Sequence, residues 1–175
     1  MLFSDPTHLV HNTIKDKCWQ EKGAQKTFKL SSNTGRKRIN IIGAIDVLEK
    51  KFSGLVTETN CDREAIKTEI DIIRERYSDN KRIVIFVDNA RYQKSSEVKE
   101  YATKQNITLK FIPTYSPNLN LIERLWKFVK KKLRNKYRKE FKDFQEAIVE
   151  ICRDIDTKYL SEVSRLINHK FQILR

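Results

Sequence analysis

Five apolar residues in a row, Ile83-Val84-Ile85-Phe86-Val87, stop without transition at Asp88-Asn89. A run this short, rich in β-branched residues and preceded by Lys81 and Arg82, predicts a strand buried on both faces. Such strands belong to parallel sheets covered by helices, so the run demands an α/β layering around it. It also puts Asp88 at the strand's carboxyl end, where open α/β sheets keep their ligand sites. An Asp there can equally cap the following turn through an Asx-type bond, and on the residues alone both roles stand.

The flanking segments supply the layers. Residues 1–5 read as a short strand ended at Asp5 by Pro6. Residues 16–30 read as two short strands around a glycine turn, and Ser31 to Gly35 as a turn cluster. Ile39 to Val47 is apolar on both faces, hence an interior strand, with Phe52 to Thr57 pairing back on it. Asp62 to Tyr77 repeats Ala65, Ile66, Ile70, Ile73 and Tyr77 at helical steps, with Asp62 as cap. Ser95 to Gln105 is a short helix, and Ile107 to Ile112 a strand stopped by Pro113. Leu119 to Tyr137 is a long helix with the stripe Leu119, Ile122, Trp126, Val129, Leu133 and Tyr137. Phe141 to Ile155 and Leu160 to Ile173 close the chain as helices. Antiparallel strands followed by alternating strands and helices match the ribonuclease-H-like topology: an α/β fold with a mixed five-stranded sheet flanked by helices, in one domain spanning 1–175.

Three acids fall at informative places: Asp5 at the end of the first strand, Asp88, and Glu123 near the start of the long helix. Glu123 also fits a capping box with Asn120 and an i, i+4 pair with Lys127. Asp46, inside a strand, is either an edge charge or a fourth acid. Phosphodiester transfer needs attacking and leaving oxygens stabilised together, which two metal ions about 3.5–4 Å apart accomplish. One carboxylate from each of three distant elements is the pattern that bridges two such ions.

Around these acids the chain resembles a known family. Val87-Asp88-Asn89-Ala90-Arg91-Tyr92, then Phe111-Ile112-Pro113-Thr114-Tyr115-Ser116-Pro117-Asn118-Leu119-Asn120-Leu121-Ile122-Glu123-Arg124-Leu125-Trp126, resembles the DDE transposases of the mariner-like superfamily, in particular their bacterial insertion-sequence branch. The 34 residues between Asp88 and Glu123 match that superfamily's spacing, and Glu rather than Asp at the third position favours the bacterial branch. Phe3-Ser4-Asp5-Pro6-Thr7-His8 looks like the first acidic strand, although Pro6 stands where many relatives carry a second acid. Cys18-Trp19-Gln20-Glu21-Lys22-Gly23 looks like the Trp/Gly stretch that follows it. The resemblance implies a magnesium- or manganese-dependent enzyme with two ions. Asp5 and Asp88 would bridge the metals and Glu123 would complete one site. Water would cleave at a transposon end, and the freed 3′-hydroxyl would attack target DNA, typically at TA. It further implies a homodimer as the working form. Family members usually carry a helix-turn-helix region ahead of this domain, and the expectation is a catalytic domain without that region.

Charge agrees with a DNA partner: 36 Lys and Arg against 23 Asp and Glu leave a net charge of +13, an attractor of polyanions. No acid lies between Arg124 and Lys139. Arg124, Lys127, Lys130, Lys131, Lys132 and Arg134 are candidate phosphate contacts. Arg36, Lys37 and Arg38 form a second candidate cluster, and Arg91, Tyr92 and Lys94 follow Asp88 closely. His8 and His11 read as polar loop residues, Trp19 and Trp126 as packing residues. Cys18, Cys61 and Cys152 form no CxxC pair, which argues against zinc or disulfides and suits a reducing bacterial cytoplasm. No apolar stretch is long enough for a membrane span. Two alternatives share these features: a non-catalytic DNA-binding fragment of a transposase, and a ribonuclease-H-like nuclease without strand transfer.

Overall fold

The computed structural model describes residues 1–12, 37–77, 81–114, 116–134 and 136–168. The strands predicted in 16–30, the turn at 31–35, Trp19 and Arg36 lie outside these residues.

The Ile83–Val87 run is strand β4, as its composition demands, with β1 (Leu2–Val10), β2 (Arg38–Asp46), β3 (Phe52–Thr57) and β5 (Ile107–Phe111) completing one sheet in the order β3-β2-β1-β4-β5. β1 runs antiparallel to β2, and β2 to β3, whereas β1, β4 and β5 are mutually parallel. This is the mixed five-stranded sheet expected.

The helices cover both faces. Helices α1 (Arg63–Arg76) and α2 (Ser96–Lys104) pack on the face formed by Leu2, Ile42, Ala44, Ile83, Ile85, Val87 and Ile107. Helices α3 (Ile122–Leu133), α4 (Phe141–Arg153) and α5 (Leu160–Leu166) bury the opposite face, where Phe3, Ile39, Ile41, Ile45 and Phe52 meet Trp126, Val129 and Ile148. Strand alternation sends Leu2 and Phe3 into different cores. Asp62 caps α1 by accepting from the Ala65 amide at 3.0 Å, and Trp126 packs edge-on against Phe52.

Three expectations change. β1 does not stop at Asp5; it runs through Pro6 to Val10, pairing with β2 all the way. Its parallel pairing to β4 ends at Phe3–Phe86, so on that flank a proline nitrogen forfeits no ladder bond. The long helix is shorter than its apolar stripe. A 3₁₀ turn covers Pro117–Leu119, α3 begins at Ile122, and Arg134 leaves the helical region with ψ 144°. Leu119 and Tyr137, the two ends of the predicted stripe, are exposed. Last, α5 ends at Leu166, and the rest of its predicted range is partly outside the described residues.

Asp46 is a structural residue at the far end of the sheet. It pairs with Leu2, accepts the Leu48 and Glu49 amides and the Tyr77 hydroxyl, and so pins the β2–β3 turn. His11, read as a loop residue, is buried instead: its Nε2 lies 2.8 Å from the Arg138 carbonyl and its ring packs on Phe141 and Phe144.

Candidate active site

The pairing of β1 with β4 decides where the acids meet. Phe3 stands beside Phe86 in the parallel ladder, and their rings stack at 4.9 Å on the α3 side of the sheet. Two residues further along each chain come Asp5 and Asp88. A period of two returns the side chain to the same face, and neighbouring strands lie about 4.8 Å apart. Asp5 therefore returns to the face of the stacked rings, and Asp88, the first residue past β4, lies close enough to act on it electrostatically. Glu123 is in the first turn of α3, and α3 packs against β1.

Electrostatics report the same convergence. The Asp5 carboxyl is pushed up to about 7, first by burial, then by the Asp88 carboxylate, the Glu123 carboxylate and Glu69, with Lys130 acting against them. Among the described residues no His, Cys, Asp and Glu side chains form a ready-made group for a metal ion. The three carboxylates are coupled through space rather than held in contact. Their chemistry still fits a divalent cation. They are hard oxygen donors on three separate elements, and their mutual repulsion is the energy a cation between them would relieve.

Each acid is held by its own element. Asp88, half-buried just past the end of β4, accepts from the Ala90 amide at 3.0 Å, so the Asx-type turn exists as well as the strand-end placement. Gln93, buried, turns its carboxamide nitrogen toward Asp88 Oδ1 and the Asp88 carbonyl. Asn89 donates to the Ile112 carbonyl, tying the ends of β4 and β5 together. The capping box expected at Glu123 does not form, because α3 has no side-chain cap. The Asn120 side chain instead donates to the Ser4 carbonyl at 3.2 Å.

Tyr92 is half-buried against the α1–α2 core, within electrostatic reach of Asp88 and Asp5. Its hydroxyl is driven up by burial, by Asp88, then by Cys61 and Asp5. On the α1 side, Glu69 is fully buried, accepts from Ser4 Oγ at 2.7 Å and is pushed up to about 7 by that burial. Gln93, Asn120 and Glu69 were not among the candidates. Only Glu69 left a legible signal, a charge set between Ile66 and Ile73 on the buried stripe of α1.

The basic candidates separate into groups. At about 100° per residue, Lys127 and Lys130 on α3 lie within roughly 40° of Glu123 and Lys132 lies opposite, while Arg134 follows as the helix's C-terminal cap. Lys127, Lys130, Lys131 and Arg134 are exposed, and Lys130 reaches the acids electrostatically. Arg124 is engaged elsewhere: its guanidinium donates to the Leu166 carbonyl at 3.1 Å and to Asn168. Lys132 pairs with Glu162 at 2.8 Å and lies over the Tyr159 ring. Arg91 and Lys94 are exposed beside Asp88, with Lys94 over the Phe111 ring. Lys37 and Arg38 are exposed at the start of β2, paired by register with Val10 and so well beyond Asp5 along the sheet. Among the described residues no helix is long and apolar enough to cross a membrane.

Comparison with known proteins agrees with this geometry. An uncharacterized protein, y4pE/y4sA, of Sinorhizobium fredii (strain NBRC 101917 / NGR234) is 32% identical over 113 residues, covering 64% of this chain and 78% of that protein. The fold matches the Mos1 transposase paired-end complex with left transposon end at a TM-score of 0.66 and 14% identity, over 98% of this chain and 56% of that one. It matches the mariner Mos1 paired end complex with Mg at 0.69 and 13% identity, over 95% and 52%. The HTLV-2 integrase catalytic core domain in complex with magnesium matches at 0.52 and 17% identity, over 87% and 82%. The chain thus spans just over half the length of the Mos1 transposase chains, and these likenesses establish the ribonuclease-H-like fold. The model of the DDE superfamily endonuclease domain matches residues 1–147, and the chain belongs to that family.

Proposed function

We propose that this chain is a DNA transposase catalytic domain that cuts phosphodiesters at the ends of an insertion sequence and joins the freed ends to new DNA. The observation that carries the reading is the electrostatic coupling of Asp5, midway along β1, to Asp88, the first residue past the parallel strand β4, and to Glu123 in the first turn of α3.

Magnesium or manganese ions, held by these three carboxylates, would polarise the scissile phosphate and raise the nucleophilicity of the attacking oxygen. Everything else falls to the protein. Asp88 is aimed by the Ala90 amide and by Gln93. The stacked Phe3 and Phe86 rings would give the acids an apolar floor. Lys127 and Lys130, on the Glu123 face of α3, and Arg134 at its C-terminal end would take the phosphates flanking the scissile bond, while Lys131 extends that surface around the helix. Arg91 and Lys94 would hold the strand on the Asp88 side. Such contacts position DNA without reading its sequence. Water would be the first nucleophile and the freed 3′-hydroxyl the second, both using the same acids. By analogy with the paired-end complexes of Mos1 transposase, two copies would hold two DNA ends together.

The test is cleavage and joining of labelled DNA carrying the sequences that flank this coding region, with Mg2+ or Mn2+, for the wild type, Asp88→Asn and Glu123→Gln. Loss of a metal-holding carboxylate removes several kcal/mol of transition-state stabilisation, so each variant should lose at least about 10³-fold while still binding DNA. Equal activity of wild type and variants sinks the assignment. Cutting without joining makes the chain a nuclease only.

A further inference from the structure

We propose that Asn120 is a positioning residue that sets the separation of Asp5 and Glu123, and through it the site's affinity for divalent cations; this rests on the metal reading above.

Asn120 is bonded to both acid-bearing segments at once. Its side-chain nitrogen donates to the Ser4 carbonyl at 3.2 Å, which is the carbonyl of the peptide unit that leads into Asp5. Its own main-chain carbonyl accepts the Glu123 amide at 3.2 Å. One residue therefore fixes the peptide plane before the first acid and the helical turn that carries the third. The contact crosses 116 positions of sequence and is buried.

The Ser4 carbonyl is where such a tie is needed. The β1–β4 ladder ends at Phe3–Phe86, so Ser4 is the first residue of β1 past its parallel neighbour. Asp5 is thus carried on a strand supported by a sheet neighbour on one flank only, that of β2. From the other side of the sheet, Ser4 Oγ donates to the buried Glu69 of α1. Ser4 is clamped by its side chain to one helical layer and by its carbonyl to the other, and Asp5 inherits its position from that clamp.

Packing alone does not account for an asparagine here. Among the described residues its Oδ1 is buried without a hydrogen-bond partner, a desolvation cost that an apolar side chain of similar volume avoids. Nor does local helix chemistry, because the side chain leaves α3 uncapped and reaches for β1. Residues that orient metal-holding groups from behind typically alter metal affinity or activity by 10–100-fold when changed, and displacements of about 1 Å at such sites cost on the order of 10²-fold in rate.

The experiment compares wild type, Asn120→Leu and Asp88→Asn. Mn2+ affinity is read from the metal-dependent rise in melting temperature without DNA, and DNA cleavage is read as kcat and KM separately. Asn120→Leu should keep the metal-free melting temperature and the KM for DNA, weaken Mn2+ binding about tenfold, and lower kcat by about 10- to 100-fold. Wild-type Mn2+ affinity and kcat in Asn120→Leu overturn the proposal, as does a change confined to KM. If Asn120→Leu does not fold, Asn120→Ala is read in the same way, and failure of both to fold assigns Asn120 to packing and overturns it. The Asp88→Asn arm is independent: unchanged Mn2+ binding there defeats the metal reading itself, whatever Asn120 does.

Discussion

Raising the pH from 5 to 7 should weaken the metal-free protein, and Asp5→Asn should remove about half of that loss. In the unfolded chain Asp5 titrates near the ordinary carboxyl value; in the folded protein burial and the neighbouring Asp88 and Glu123 carboxylates push it up to about 7. Between those values the folded state holds one proton more than the unfolded state, so stability falls as pH rises, by about 1.4 kcal/mol per unit for each such group. Glu69, pushed up to about 7 by burial, acts with the same sign. The two together give a slope of roughly 2.7 kcal/mol per pH unit between about pH 5 and 6.5. The share from Asp5 sums to roughly 4 kcal/mol by pH 8. Asp5→Asn should therefore halve the slope, leaving the variant close to wild type near pH 4 and a few kcal/mol more stable at pH 8. The assay is urea denaturation followed by circular dichroism across pH 4.5–8, at constant ionic strength with EDTA present. A wild-type stability that is flat or rises from pH 5 to 7, or a variant with an unchanged slope, refutes the crowding of acids at this end of the sheet.

Divalent ions should compete with protons for the same carboxylates: the stabilisation by Mn2+, measured as a melting-temperature shift, should be largest at pH 8. Its apparent affinity should fall about tenfold per pH unit below 7, as a proton on Asp5 competes. Replacing Lys127, Lys130 and Lys131 by Ala should reduce the slope of log K against log salt for DNA binding by about 0.9 for each phosphate no longer neutralised. Lys132→Ala should leave that slope alone and instead cost on the order of 1 kcal/mol of stability, through the Glu162 pair and the Tyr159 ring. Phe3→Ala should cost about 3–5 kcal/mol in thermal or urea unfolding, since Phe3 is buried against Phe86 under the two strand acids.

What the sequence made legible was whatever is decided locally. Ile83 to Val87 read as a strand because the run is too short for a helix and rich in β-branched residues, and Asp88 stands at its end; the structure buries Ile83, Ile85 and Val87 and leaves Val84 and Phe86 half-buried. The placement of Asp5 was harder. Pro6 signals a strand end by local rules, yet β1 continues because its ladder with β2, made with residues from Ile42 back to Arg38, needs nothing from the opposite flank. The basic run after Glu123 reads as one surface in one dimension. Helix winding sends Lys130 to the acids and Lys132 to α5, and the helix ends at Leu133, leaving Tyr137 exposed. Asn120 shows the same limit most sharply. Three residues before a glutamate at a helix start, it has every local mark of a capping residue. Its side chain is instead claimed by a carbonyl on β1, a partner that exists only once the sheet has formed. A three-acid site is a long-range object, so its members can be picked from local patterns, whereas the groups that hold them at a working separation are defined only by the contacts between elements.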